Sequence, residues 1–318
     1  MPRQVQLGKA FEYACLTAIY NRLSTNQTIT IEQNDAYNST REFYNTLQPI
    51  MQQKMISAAN AALNVLLRLE PLLENPNGDI PLYLSIQEDA RGIAGDVRDI
   101  LMIRRGTGWE IGLSVKHNHM AVKHSRLSDV LDFGASWLNI PCSTTYFEEI
   151  RPLFSQLREL KGQGIKWNQV PNKGESYYLP ILQSFISELR RLDAANPGVV
   201  PARLMSYLLG NYDFYKVISI DNRRMTKIQA FSLYGTLNRP AAGVRPMINL
   251  PNLHLPTRIF DIYFKQNSNN TVIIALDQGW QISLRIHSAS TYVEPSLKFD
   301  IQLIGIPQNL YSHEEAWV

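Results

Sequence analysis

The chain has 318 residues, 45% of them hydrophobic and 19% charged, with a net charge of +3. Those values describe a globular chain with room for one large or two modest domains, and they exclude a disordered polyelectrolyte. So small a net charge does not by itself demand a polyanionic partner, so that argument must rest on where the cations cluster.

Residues 7–23 read as a helix whose apolar stripe, Leu16, Ile19 and Leu23, extends back one step to Glu12. A carboxylate on a buried helix face is costly unless it is paired or binds a metal. Lys9 and Glu12 also interrupt the region where a secretory signal would need an apolar run. Cys15 and Cys142 are far apart with no CxxC spacing, and no stretch approaches the ~18 apolar residues of a membrane span. The expectation is a soluble, cytoplasmic protein with reduced thiols.

A short strand is expected within residues 28–31, then two helical stretches over 40–75 broken near Pro49 and interrupted by Pro71. Asn75-Pro76-Asn77-Gly78 marks a turn, and residues 82–86 a strand.

The stretch from Gly95 to Arg126 carries the chemistry. Residues 97–103 and 109–115 read as two strands joined by Arg105-Gly106-Thr107-Gly108. Folding about Gly106-Thr107 places Asp99 across from Ser114, on the same face as Lys116. An acid facing S-x-K is close to the D…(D/E)xK site of a large nuclease superfamily. There a carboxylate holds Mg²⁺ and a lysine orients water or steadies charge on the phosphate. Ser114 stands where that pattern has an acid. Glu110 has the right parity but lies roughly 20 Å away, and Asp96 has the wrong parity unless a bulge corrects it. Glu12 is the favoured replacement and Asp129 a second one. The ordinary alternatives are a surface hairpin with a stray Asp and Lys, and a Glu12 paired inside the core.

From Lys116 to Arg126, seven of eleven residues are Lys, Arg, His or Asn, the densest such run in the chain. It reads as a loop gripping the scissile strand, with Asn118, Lys123 and Arg126 as DNA contacts. His117-Asn118-His119 is not an HNH nuclease signature, which spreads its residues over a ββα unit. Helices are expected over residues 127–138, 141–160, 178–192 and 201–209, with a soft boundary at 161–164. A strand follows at 212–220, then a basic run at 221–227. Residues 258–265, 271–276, 279–287 and 297–304 alternate as strands. In the third of these, Trp280, Ile282, Leu284 and Ile286 face one way, and Gln281, Ser283, Arg285 and His287 the other. Arg285 and His287 are candidates for reading base edges; the commoner role of such a face is contact with solvent.

Four blocks in this order, LGKAFEYA, GDVRDILMIRR…WEIGLSVKHNHMAVKHSRLS, FSLYGTLNRP and GWQISLRIHSAS…EPSLKFDIQLIG, resemble the HaeIII family of type II restriction endonucleases over essentially the whole chain. The resemblance implies a Mg²⁺-dependent PD-(D/E)xK enzyme that cuts double-stranded DNA at GGCC, between the central G and C, leaving blunt ends. It also implies a cognate cytosine methyltransferase as functional partner. Asp99 becomes a metal ligand, Lys116 the catalytic lysine and Glu12 the helix-borne acid. A palindromic site suits a homodimer, although monomers nicking each strand in turn would suffice.

The expected fold is α/β, with a PD-(D/E)xK core whose mixed central sheet is flanked by helices in residues 1–160. A partly β region for DNA recognition is expected in 161–318. The rivals are a structure-specific nuclease, such as a resolvase or repair enzyme, and a sequence-specific DNA-binding protein in which Ser114 marks a dead site.

Overall fold

The computed structural model describes residues 3–76, 79–88 and 95–318. The chain opens with helix α1 (Arg3–Leu23), whose Ala10, Phe11, Ala14, Leu16, Ile19 and Leu23 are all buried. Strand β1 (Ile29–Ile31) and helix α2 (Asp35–Asn45) follow, the helix capped by the Asn34 side chain accepting from the Tyr37 amide. Helix α3 (Pro49–Leu69) begins on Pro49, where a missing N–H costs nothing, and ends before Pro71. Strands β2 (Leu82–Ile86), β3 (Ile100–Arg104) and β4 (Trp109–His117) form the expected hairpin and its neighbour. Gly106 and Gly108 make the turn at φ +88° and +64°, a region other residues adopt at a cost. The turn expected at 75–78 lies partly outside the described residues.

Strand β5 (Lys123–Leu127) occupies the segment expected as a loop, and the helix expected over 127–138 is only α4 (Phe133–Leu138), capped by Asp132. Helices α5 (Thr144–Gly162), α6 (Leu179–Ala195) and α7 (Val199–Leu209) fall close to expectation. Strand β6 (Phe214–Ile220) was expected; β7 (Met225–Phe231), which continues the basic run, was not. Strands β8 (Ile259–Phe264), β9 (Thr271–Leu276), β10 (Gln281–His287) and β11 (Leu297–Gly305) match the alternating segments, and β12 (Ser312–Ala316) adds a last one.

Among the described residues seven strands form one sheet in the order β1-β2-β3-β4-β6-β7-β12. It is mixed: β1–β2 and β4–β6 are parallel and the other pairs antiparallel. Helices α1 and α3 bury their apolar faces against it, together with Trp109, Ile111, Leu113 and Val115 of β4. Gly112, Ser114 and Lys116 therefore alternate onto the other face of β4. The architecture is the mixed α/β sheet with flanking helices that the sequence led us to expect.

The chain forms two compact units. One comprises Met1–Met120, Leu209–Leu253 and Asn309–Val318; the other comprises Ala121–Leu208 and His254–Gln308. This interleaved division differs from a single cut at 160/161, which falls inside the second unit. The second unit holds the antiparallel sheet β5-β11-β10-β9-β8. Its apolar face, including Leu284, Ile286 and Phe299, is buried. Phe299 packs against Phe185 of α6 and Trp137 of α4, with ring centroids 5.4 and 6.0 Å apart. Among the described residues no helix is long and apolar enough to cross a membrane.

Candidate active site

The hairpin register runs from Ile100 opposite Leu113 to Arg104 opposite Trp109, and Asp99 follows at its open end. The Asp99 amide donates to the Leu113 carbonyl at 2.7 Å. Asp99 Oδ2 accepts from the Val115 amide at 2.6 Å and from Lys116 Nζ at 3.1 Å. The pair is partly open to solvent, with the Asp99 and Lys116 side chains 21% and 28% exposed. The backbone amide fixes one carboxylate oxygen and leaves Oδ1 for a cation.

Glu12 enters from α1. It is only 5% exposed and takes a hydrogen bond from Lys9 Nζ at 3.2 Å, one turn earlier on the helix. Burial, and then the negative charge of Asp99, push its carboxyl up to about 8; Lys9 and Lys116 pull the other way. Glu12 thus feels both members of the hairpin pair. Two carboxylates repelling one another in a buried setting have a physical reason to bind a cation.

Lys216 was not singled out from the sequence. It lies on β6, in parallel register beside Ser114, and is 4% exposed with its Nζ donating to the Met120 carbonyl at 2.8 Å. Burial and the nearby charge of Lys116 push it down to about 7. A buried lysine amine therefore stands beside the position where the superfamily pattern has an acid.

The structure assigns other partners to the remaining acids. Asp96 takes two bonds from the Arg98 guanidinium, at 2.8 and 2.7 Å, and one from Gln87 at 3.0 Å. Glu110 meets the same guanidinium at 2.7 Å, and Arg98 stacks over the Tyr212 ring. Asp129 belongs to the second unit, in a bidentate pair with Arg158 at 2.8 and 2.7 Å.

Asn118 sits at φ +50° and closes the end of β4: its Oδ1 accepts from the Asp221 amide at 2.9 Å and its Nδ2 donates to His117 Nε2 at 3.2 Å. The His117 Nδ1–H then faces Ser219 Oγ at 2.9 Å, and burial lowers the His117 pKa. These groups brace the strand end.

The other DNA-contact candidates lie in the second unit. Lys123 turns to the apolar face of its sheet, where Nζ donates to the Tyr207 carbonyl at 2.8 Å and stands 3.8 Å from the Tyr207 ring centroid. Burial there pushes its ammonium down to about 8. Arg126 is on the opposite face because strand side chains alternate, and its side chain is 47% exposed. Arg285 is 55% exposed and reaches Asp300 at 3.5 Å, while His287 Nδ1 donates to the Ser288 carbonyl at 2.8 Å.

A family model described as HaeIII restriction endonuclease matches residues 8–307, a span that includes every one of these residues. The chain belongs to the HaeIII restriction endonuclease family. It is similar to the type II restriction enzyme HaeIII of Haemophilus aegyptius, with 47% identity over 310 residues that cover 98% of this chain and 97% of that protein. No solved structure matches the chain. As a member of the HaeIII family it is a site-specific deoxyribonuclease acting on double-stranded DNA, and enzymes of this type generally use a divalent metal.

The donors present fit such an ion. Among the described residues no group of three or more His, Cys, Asp or Glu stands together as a metal cage. Mg²⁺ does not need one: it keeps several waters and is commonly held by one or two carboxylates plus substrate phosphate oxygens. Asp99 and Glu12 are two hard oxygen donors of the kind such an ion would take.

Proposed function

We propose that this enzyme cuts double-stranded DNA at GGCC, between the central G and C, to leave blunt ends, with Mg²⁺ as cofactor. A cognate cytosine methyltransferase would protect the host: a methyl on the major-groove edge of cytosine obstructs any side chain packed there. The sequence specificity rests on resemblance to the HaeIII family. The chemistry rests on one observation, the Asp99–Lys116 contact at 3.1 Å, whose two charges both act on the buried Glu12 carboxyl. A palindromic target is matched by a two-fold dimer.

In this reading Asp99 and Glu12 would hold the ion, which would supply Lewis-acid stabilisation of the charge that builds on the phosphate. Lys116 orients the attacking water and shares the charge on a non-bridging oxygen. Water adds to phosphorus, the bond to the 3′ oxygen breaks in line, and the products are a 5′ phosphate and a 3′ hydroxyl. The Val115 amide, donating a hydrogen bond to Asp99 Oδ2, holds the carboxylate in place.

The test is to incubate unmethylated plasmid, and the same plasmid methylated at GGCC, with the protein and Mg²⁺, and to sequence the ends. Uniform blunt GG/CC ends from the unmethylated plasmid alone support the proposal. Cuts that follow branched structures would favour a structure-specific nuclease, and selective binding without cleavage would favour a binding protein.

A further inference from the structure

The polar face of the second sheet contains an arrangement that packing alone disfavours. In register, Arg126 of β5 is directly opposite Lys298 of β11, and Lys298 is directly opposite His287 of β10. Residues directly opposite share a sheet face, and like charges so placed destabilise a sheet. With neighbouring strands ~4.8 Å apart, the row spans roughly 10 Å. Among the described residues Arg126 has Glu294 at 3.8 Å and donates to the Ser296 hydroxyl at 3.2 Å. Burial lowers the Lys298 pKa, and the Arg126 charge lowers it further against the opposing pull of Asp300. The His287 Nδ1–H is spent on the Ser288 carbonyl. One row further on, Arg285 is opposite Asp300 and Ser283 is opposite Gln302. Along this face a cationic pair, Arg126 and Lys298, thus gives way to a guanidinium beside a carboxylate.

We propose that Arg126 and Lys298 form a track that grips the phosphate backbone of the DNA, while Arg285, beside Asp300, makes a sequence-dependent contact. The inference deepens the DNA-cleaving reading and rests on it. A polyanion removes the repulsion within the row, whereas solvent only screens it. A guanidinium held by a carboxylate keeps a fixed orientation, as bidentate recognition of guanine requires.

The experiment measures equilibrium binding of the full-length protein to a GGCC duplex and to a scrambled duplex over a series of salt concentrations, with Ca²⁺ in place of Mg²⁺. Arg126→Ala and Lys298→Ala should each weaken binding to both duplexes by a similar factor. Each should also make the slope of log K against log salt shallower by about 0.9. Arg285→Ala should leave the slope nearly unchanged and shrink the preference for GGCC by about 10-fold. Lys123→Met, on the other face, should leave the slope as it was. Should Lys298→Ala not fold, Lys298→Gln keeps most of the stem and removes the charge. An unchanged slope in folded Arg126 and Lys298 variants overturns the track. Absence of salt-sensitive binding by the unaltered protein would instead overturn the DNA-cleaving reading beneath it.

Discussion

Lys116 Nζ stands 3.1 Å from Asp99 Oδ2 at the open end of the β3–β4 hairpin, and the same oxygen accepts the Val115 amide at 2.6 Å. One carboxylate oxygen thus bonds both the backbone and the side chain of the facing strand. Asp99→Asn can keep a carbonyl oxygen for the Val115 amide while removing the charge. Cleavage should fall by about 10³-fold, the scale of several kcal/mol of lost transition-state stabilisation. The melting temperature should change little. Calorimetric titration with Mg²⁺ alongside cleavage assays checks this, and undiminished metal binding would exclude Asp99 as a ligand.

Glu12 predicts how stability varies with pH. Its carboxyl is raised from 4.5 to about 8, so the native state keeps a proton that the unfolded chain releases. The associated stability is fully present below pH 4.5 and is lost as the pH rises through 8. Glu12→Gln is neutral throughout and escapes that loss. In EDTA the variant should melt close to the parent at pH 4.5 and several degrees above it at pH 8. Mg²⁺ needs the ionised carboxylate, so metal affinity of the parent should rise with pH up to about 8. Parallel melting curves for the two proteins across this range would contradict the assignment.

Gly112 predicts a packing effect. A Cβ at this position would run into the Arg98 side chain, which lies across β4 between Asp96 and Glu110. Gly112→Ala should destabilise the first unit by about 1–3 kcal/mol, the usual cost of overpacking. Chemical denaturation reads this as a lower midpoint with an unchanged slope.

The hairpin and its register were legible because glycines fix the turn and alternation fixes the faces, and Asp99 and Lys116 came with them. Glu12 was legible as the odd member of an apolar stripe whose other members, Leu16, Ile19 and Leu23, are at most 2% exposed. The two faces of β10 were legible for the same reason. Lys216 was not, because its place beside Ser114 depends on a parallel pairing between residues about a hundred positions apart, which no local pattern encodes. The only local sign was a lysine in an otherwise apolar strand. The sequence KHSRL lacks the composition of a strand, so β5 was read as a loop. That hid the fact that Lys123 and Arg126 point to opposite faces. Ser312–Ala316 is equally polar and gains its strand through pairing with β7.

The central claim is that Lys116, beside Asp99 and Glu12, acts in the chemical step. The most direct test compares single-turnover cleavage of a GGCC duplex by the unaltered protein and by Lys116→Ala in Mg²⁺, with binding to the same duplex measured in Ca²⁺. The account predicts that the variant binds within a few-fold of the parent and cleaves at least ~10²-fold more slowly. A folded Lys116→Ala protein that cleaves at the parent rate would contradict it.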